Sequence, residues 1–439
     1  MNRYREYLAW GMVLFLAAAL MGTATVRSSM AQTAATATIS GMVTDPTGAV
    51  VPGASVELLD TTTNQVRKQT TNEAGQYLFT SVLPGVYKIT VTAQGFRQAV
   101  IPSLKVDVAK SYQVNVTLEV GEIAEVVEVT AAGVELQTLD STVGTVIGGE
   151  QLLRLPTLTR SAGALLTLQP LVQPSRGVGV LGGGQMAGAR SDQNTFLIDG
   201  VDATDVTAGT GSYYSEAIDW VGPTPAIPVP AESIEEFRVG STNPNATFSR
   251  SSGGQVSFVT KRGTNTLHGS LYWYHQNDNL NANRWEFNRL GIRRPELKDH
   301  RFGFTTGGPI RKDKTFFFTH YEGRRFPKTE SILRLVPTAT LKQGILRFPD
   351  AEGNIVSYNI KDFDPRGIGM SPVIREFWSR FPEGNDPSAG DGLNTIGFRA
   401  PADASLNMDF ALLRLDHHFS SNWRFDGTYR YSSHSVRDT

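Results

Sequence analysis

Two segments in the second half of the chain alternate strictly between apolar and polar residues. In LHGSLYWY, Leu267, Gly269, Leu271 and Trp273 fall on one side of an extended backbone, and His268, Ser270, Tyr272 and Tyr274 on the other. In NWRFDGTYRYSS, Trp423, Phe425, Gly427, Tyr429 and Tyr431 alternate with Arg424, Asp426, Thr428, Arg430 and Ser432. A period of two is the mark of a strand. The same reading places strands near residues 265–275, 299–307, 314–323, 407–419 and 422–433. Only GPIRKDK separates the second from the third, and little more than SN the fourth from the fifth. About two dozen residues separate the first from the second and about eighty the third from the fourth, excursions that a compact soluble domain seldom carries. Short and long connections therefore alternate, as they do when strands cross a membrane in a β-barrel with tight turns on one side and long loops on the other. Alternation alone also fits a half-buried soluble strand, but Trp and Tyr at strand ends favour a membrane interface.

The start of the chain fits an exported protein. Arg3 and Arg5 precede the apolar run LAWGMVLFLAAAL, and Ser29 and Ala31 occupy the small-residue positions of a cleavage site, so residues 1–31 are expected to be a signal peptide removed after Ala31. A membrane anchor would need roughly twenty apolar residues. With no cysteine in 439 residues, a disulfide-stapled scaffold is excluded. The 41 basic and 42 acidic residues nearly cancel, which leaves no field for nucleic acid. The 43 glycines suit turn-rich β structure.

Residues 37–121 read as short alternating runs broken by Gly, Pro and Asp turns. In VYKITVTA, Val86, Tyr87, Ile89 and Val91 are expected to set an apolar face, with Lys88, Thr90 and Thr92 towards water. Strands of this length predict an antiparallel β-sandwich. The phrases GMVTDPTGAVVPGASVEL and NEAGQYLFTSVLPGVYKITVTAQGF resemble the carboxypeptidase regulatory-like domain, an immunoglobulin-like sandwich also described as a carbohydrate-binding-like fold. That family is attached to many different proteins, so the resemblance implies fold rather than activity. Related surface modules cross-link a buried lysine to an asparagine; Lys88 on the polar face does not suit that chemistry.

Residues 122–133, EIAEVVEVTAAG, form a β-prone linker. They read either as a last strand or as an extended peptide that adds to a partner's sheet edge. Glu125, Val126, Val127, Glu128, Val129, Thr130 and Ala131 resemble a TonB box.

In NTFLIDGVDATD an apolar run stops at Asp199 and Gly200, with Asp202 and Asp205 following. A spacing of three does not match the alternate oxygen ligands of a calcium loop, and nothing brings a base or a second acid to a catalytic pair. The reading that remains is a buried strand, TFLI, ended by an Asp-Gly turn. Gly177, Gly179 and Gly182 mimic a dinucleotide fingerprint, but the prolines of LQPLVQPSR before them argue against the strand that motif requires. No HExxH, HxxE, GxSxG or Walker A pattern occurs, so no enzyme is expected.

NTFLIDGVDATD together with IPVPAESIEEFRVGSTNPNATFSRSSGGQVSFVTKRGTN resembles the plug domain of TonB-dependent outer-membrane receptors. Ile234, Glu235 and Val239 match its Ile-Glu-x-x-x-Val strand, Gly253 and Gly254 its Gly-Gly pair, and Val259, Thr260 and Lys261 its closing strand; NPNATFSRSSGG departs from the usual Arg-Gly-Pro lead-in. GGPIRKDKTFFFTHYEGRR and VPTATLKQGILRFPD resemble the Oar-like subgroup, which carries the same N-terminal sandwich.

These resemblances imply a mainly β chain in five parts. They are a signal peptide (1–31), a sandwich (37–121), a linker with a TonB box (122–133), an α+β plug (134–262) and the first strands of an incomplete transmembrane β-barrel (263–439). Asp199, Gly200, Val201, Gly253, Gly254, Val259, Thr260 and Lys261 would be structural members of the plug. The implied setting is the outer membrane of a Gram-negative type envelope, with outer-membrane lipid and a TonB-type energy-transducing protein as partners. The cargo, an iron chelate, a saccharide or a peptide, is not identified, and no cofactor is implied. Five strands cannot close a barrel, so the chain is read as a partial receptor. The rival is an exported carbohydrate-binding or adhesin-like surface protein. A saccharide site should show exposed aromatics, whereas Tyr77, Phe79, Tyr87, Phe96 and Tyr112 fall mostly on positions expected to be buried.

Overall fold

The computed structural model describes residues 35–121, 126–128, 142–154, 166, 169–173, 185–190, 193–204, 229–243, 252–283, 285, 288, 294, 296–327, 329–403, 405–421 and 423–436. The expected signal peptide, Glu125, Val129, Thr130, Ala131, Asp205 and the Gly177, Gly179, Gly182 stretch lie outside the described residues. The chain divides into two compact bodies: Met1–Leu267 with Gly308–Phe317 and Leu415–Asp426, and His268–Gly307 with Phe318–Arg414 and Gly427–Thr439.

The first body begins with a two-sheet sandwich. Its strands are β1 (Ala37–Thr44), β2 (Ser55–Asp60), β3 (Val66–Thr70), β4 (Gln76–Val82), β5 (Gly85–Thr92), β6 (Gln98–Val106), β7 (Ser111–Gln113), β8 (Val116–Thr117) and β9 (Val126–Glu128). One sheet runs β4-β1-β7, with β8 also paired to β1; the other runs β3-β2-β5-β6-β9. Alternate residues of most of these strands, among them Ile39, Val56, Leu58, Phe79, Ile89 and Val91, close a continuous core between the sheets. Tyr77, Phe79, Tyr87 and Tyr112 are buried and Phe96 packs against the core. Val86 is a correction to the expected face. It is exposed while Tyr87 is buried, because side chains alternate and a strand cannot turn both neighbours inward. Close packing also dictates Gly41, where a Cβ would lie 1.9 Å from the Val114 carbonyl oxygen and 2.7 Å from the Tyr77 ring.

A second core follows. Strands β10 (Val143–Gly148), β11 (Val172–Gln173), β12 (Gln185–Met186), β13 (Thr195–Ile198), β14 (Val201–Asp202), β15 (Ile234–Thr242) and β16 (Gln255–Thr260) are accompanied by a helix at Gly149–Arg154. Five of them make the sheet β10-β15-β16-β13-β14, with β13 parallel to β16 and the other three pairs antiparallel. Phe196, Ile198, Ile234, Phe237, Val256 and Phe258 cluster on it with Leu152 of the helix.

The remaining strands are β17 (His268–Asn277), β18 (Lys298–Arg311), β19 (Thr315–Phe326), β20 (Thr329–Pro337), β21 (Ile345–Pro349), β22 (Ile355–Asn359), β23 (Thr395–Asp403), β24 (Leu406–His418) and β25 (Arg424–Val436). Strands β17-β18-β19-β24-β25 make one sheet, so each of the five alternating runs read from the sequence is a strand within a few residues of its expected limits. The eighty-residue connection is itself structured: β20 pairs with β23 and β21 with β22, and a helix spans Pro372–Ser379.

Candidate functional site

Asp199 and Gly200 make the tight link between β13 and β14. Both have positive φ, 51° and 82°, as a two-residue hairpin with right-handed strand twist demands. Glycine takes that conformation freely and aspartate tolerates it. The Asp199 carboxylate is turned to the end of β16. It accepts from the Thr260 amide at 2.8 Å and from the Thr260 hydroxyl at 2.9 and 3.1 Å, while the Asp199 amide donates to the Phe258 carbonyl. The Lys261 amide then donates to the Ser233 carbonyl. Asp202 is engaged in a separate turn, where it accepts from the Thr204 amide at 2.9 Å. Among the described residues no group of three or more His, Asp and Glu is placed to hold a metal ion.

The glycine pair serves the same sheet. A Cβ on Gly253 would lie 2.4 Å from the Gln193 carbonyl oxygen, and one on Gly254 would meet the Met186 side chain. Their amides donate to the Gln193 carbonyl and to Asn194 Oδ1, and the Gly254 carbonyl accepts from the Thr195 amide. Val259 and Thr260 are buried; Val201 is exposed. The structure therefore gathers Asp199, Thr260 and Lys261 at one end of β16 and Gly253 and Gly254 at the other.

The segment resembling a TonB box falls in part on β9. Val126, Val127 and Glu128 pair in parallel with Gln98, Ala99 and Val100 of β6. This stretch does join a sheet edge, but the sheet is that of the chain's own sandwich. The sandwich thus extends past the residue 121 boundary expected from the sequence.

A polar junction within the first body was not foreseen. Glu236 of β15 accepts from the Val108 amide at 2.7 Å, and Arg238 of the same strand donates to the Ala109 carbonyl. Burial, reinforced by the nearby Asp107 carboxylate, pushes the Glu236 carboxyl up to about 8. Burial acts the same way on Asp107, but the ammonium groups of Lys110 and Lys105 outweigh it and hold that carboxyl below its ordinary value. Nearby, the Arg262 guanidinium donates to Asp60 Oδ2 at 3.0 Å and to the Pro84 carbonyl at 3.1 Å. Asn64 and Asn265 both donate to Asp313, at 3.1 and 2.7 Å. The available signal was the alternation in EEFRV: Glu236 and Arg238 share one face, opposite Phe237 and Val239. Such a face reads as solvent-exposed until a second layer covers it.

In the second body the sheet has an inverted distribution of polarity. Cross-strand partners Leu271 and Phe304, and Trp273 and Phe302, share one face, and Leu271 is 88% and Trp273 64% exposed. Leu413, Tyr429 and Tyr431 are exposed as well. The alternate positions carry buried polar groups. The Tyr272 hydroxyl bonds His320 Nε2 at 2.7 Å and Glu322 at 2.8 Å, and Arg324 grips Asp299 through Nε at 2.9 Å and Nη2 at 2.6 Å. Ser270 bonds Thr305 on the same side. A water-soluble sheet hides its large apolar side chains and exposes its charges; this one exposes a row of large apolar side chains on one face and buries charged groups on the other, beside the cluster of Phe318, Phe410 and Leu412.

Two stretches of the chain match known families. Residues 38–119 match the carboxypeptidase regulatory-like domain and residues 259–439 the outer membrane beta barrel domain. The TonB-dependent transporter Oar of Myxococcus xanthus is 27% identical over 340 residues, 74% of this chain. The chain is a homologue of that transporter. It spans 29% of Oar's length. Among solved structures, the Escherichia coli outer membrane transporter YddB is 16% identical, covering 67% of this Oar homologue and 33% of its own chain, with a TM-score of 0.42. The siderophore receptor PirA of Acinetobacter baumannii is 14% identical, covering 68% and 45%, with a TM-score of 0.32.

Proposed function

We propose that this chain is part of a TonB-dependent outer-membrane transporter for a cargo that is an iron chelate, a saccharide or a peptide. The observation that carries the reading is the inverted sheet, with Leu271, Trp273, Phe302 and Phe304 outward and the Tyr272, His320, Glu322 and Asp299, Arg324 groups on the other face. Lipid accepts the first face and a polar lumen the second. In this reading residues 263–439 supply barrel strands, and the sheet around Asp199, Gly200, Val201, Gly253, Gly254, Val259, Thr260 and Lys261 is the plug (134–262). Glu125 to Ala131 serve as the box pulled by a TonB-type partner. Cargo binds to external loops and plug, and the pull displaces the plug. The sandwich is an accessory domain rather than an enzyme; homology to a transporter supports that.

Cell fractionation tests this directly. The protein carrying this chain should sediment with the outer membrane and be released by detergent but not by salt or alkali. Recovery in the soluble periplasmic fraction would return the surface-binding reading to first place.

A further inference from the structure

We propose that the sandwich stores Val126, Val127 and Glu128 as an edge strand of its own sheet, and that the energy-transducing partner must take this strand from β6 before it can pull. The inference rests on the reading of this segment as a TonB box. The pairing is in register: Gln98 with Val126, Ala99 with Val127, Val100 with Glu128. Paired residues share a face, so Val127, half-buried, lies on the side of Ala99, which is 3% exposed. A partner that adds a strand gains specificity from pockets for alternate side chains. It cannot seat Val127 while the sandwich holds it.

The latch is also built to be weak. Pro102 lies two residues beyond Val100 in β6 and has no N–H to offer a further rung. The described pairing is parallel, the less stable kind of ladder. A strand from a partner can replace it, and while it persists it covers a sheet edge that would otherwise invite other chains.

The chain has no cysteine, so Ala99→Cys with Val127→Cys introduces a single pair of thiols whose backbone separation suits a disulfide. The full chain is purified in detergent, oxidised mildly, and titrated with the periplasmic C-terminal domain of the TonB-type protein from the same organism. The proposal predicts that the disulfide forms, that binding falls at least about tenfold, and that reduction restores it. If the disulfide fails to form under conditions that close a Thr90→Cys, Val100→Cys control in the same sheet, the strand is not stored there. If it forms and binding is unchanged, the partner adds without displacement and the proposal is overturned while the box reading stands. If the reduced chain does not bind either, the box reading itself fails and takes the proposal with it.

Discussion

Asp199 combines two demands that few residues meet together. Its backbone has a positive φ, which costs most side chains about 1–2 kcal/mol, and its carboxylate serves the Thr260 amide and hydroxyl at the end of β16. Asp199→Ala should cost about 2–4 kcal/mol, combining the strained conformation with lost charge-assisted bonds. Asp199→Asn keeps an oxygen acceptor and tolerance of the left-handed region, and should cost about 1 kcal/mol. Chemical denaturation of both variants checks the order; equal losses would remove the backbone half of the explanation. The turn itself was legible in the sequence, because an apolar run ending in Asp-Gly has a local cause. The Thr260 partner was not, since it lies 61 residues away and only the parallel pairing of β13 with β16 brings it close.

At the scale of elements, β15 carries its apolar residues on one face and Glu236 and Arg238 on the other, and both faces are buried. Because the folded state holds the Glu236 carboxyl at about 8, it binds a proton that the unfolded chain releases near 4.5. The folded form therefore loses stability as pH rises from about 4.5 to about 8, and the loss levels off above that. Glu236→Gln keeps an acceptor for the Val108 amide and removes the titration. Its advantage over the wild type should be absent near pH 4.5 and reach about 1–2 kcal/mol above pH 8, read as a difference in melting temperature across the pH range. A gap that is constant with pH would contradict the account. The resemblance to a plug domain marked β15 as a strand, through Ile234, Glu235 and Val239. It missed the burial of its charged face, because the residues that cover it, 107–110, are more than a hundred positions away.

For the whole molecule, the strands of the last sheet were readable because its first and last obey a local period of two, and the alternation of short and long connections is visible without coordinates. The pairing of β20 with β23 was not, since it joins the two ends of a long excursion whose intervening residues carry no register signal. The central claim concerns which face of that sheet meets lipid. Single cysteines at Ser270, Leu271, Tyr272 and Trp273, labelled with a small fluorophore in the protein carrying this chain and reconstituted in vesicles, test it most directly. Brominated acyl chains should quench labels at 271 and 273, and a water-soluble quencher those at 270 and 272. Quenching of all four by the aqueous reagent alone, with no period of two, would contradict the membrane-spanning account.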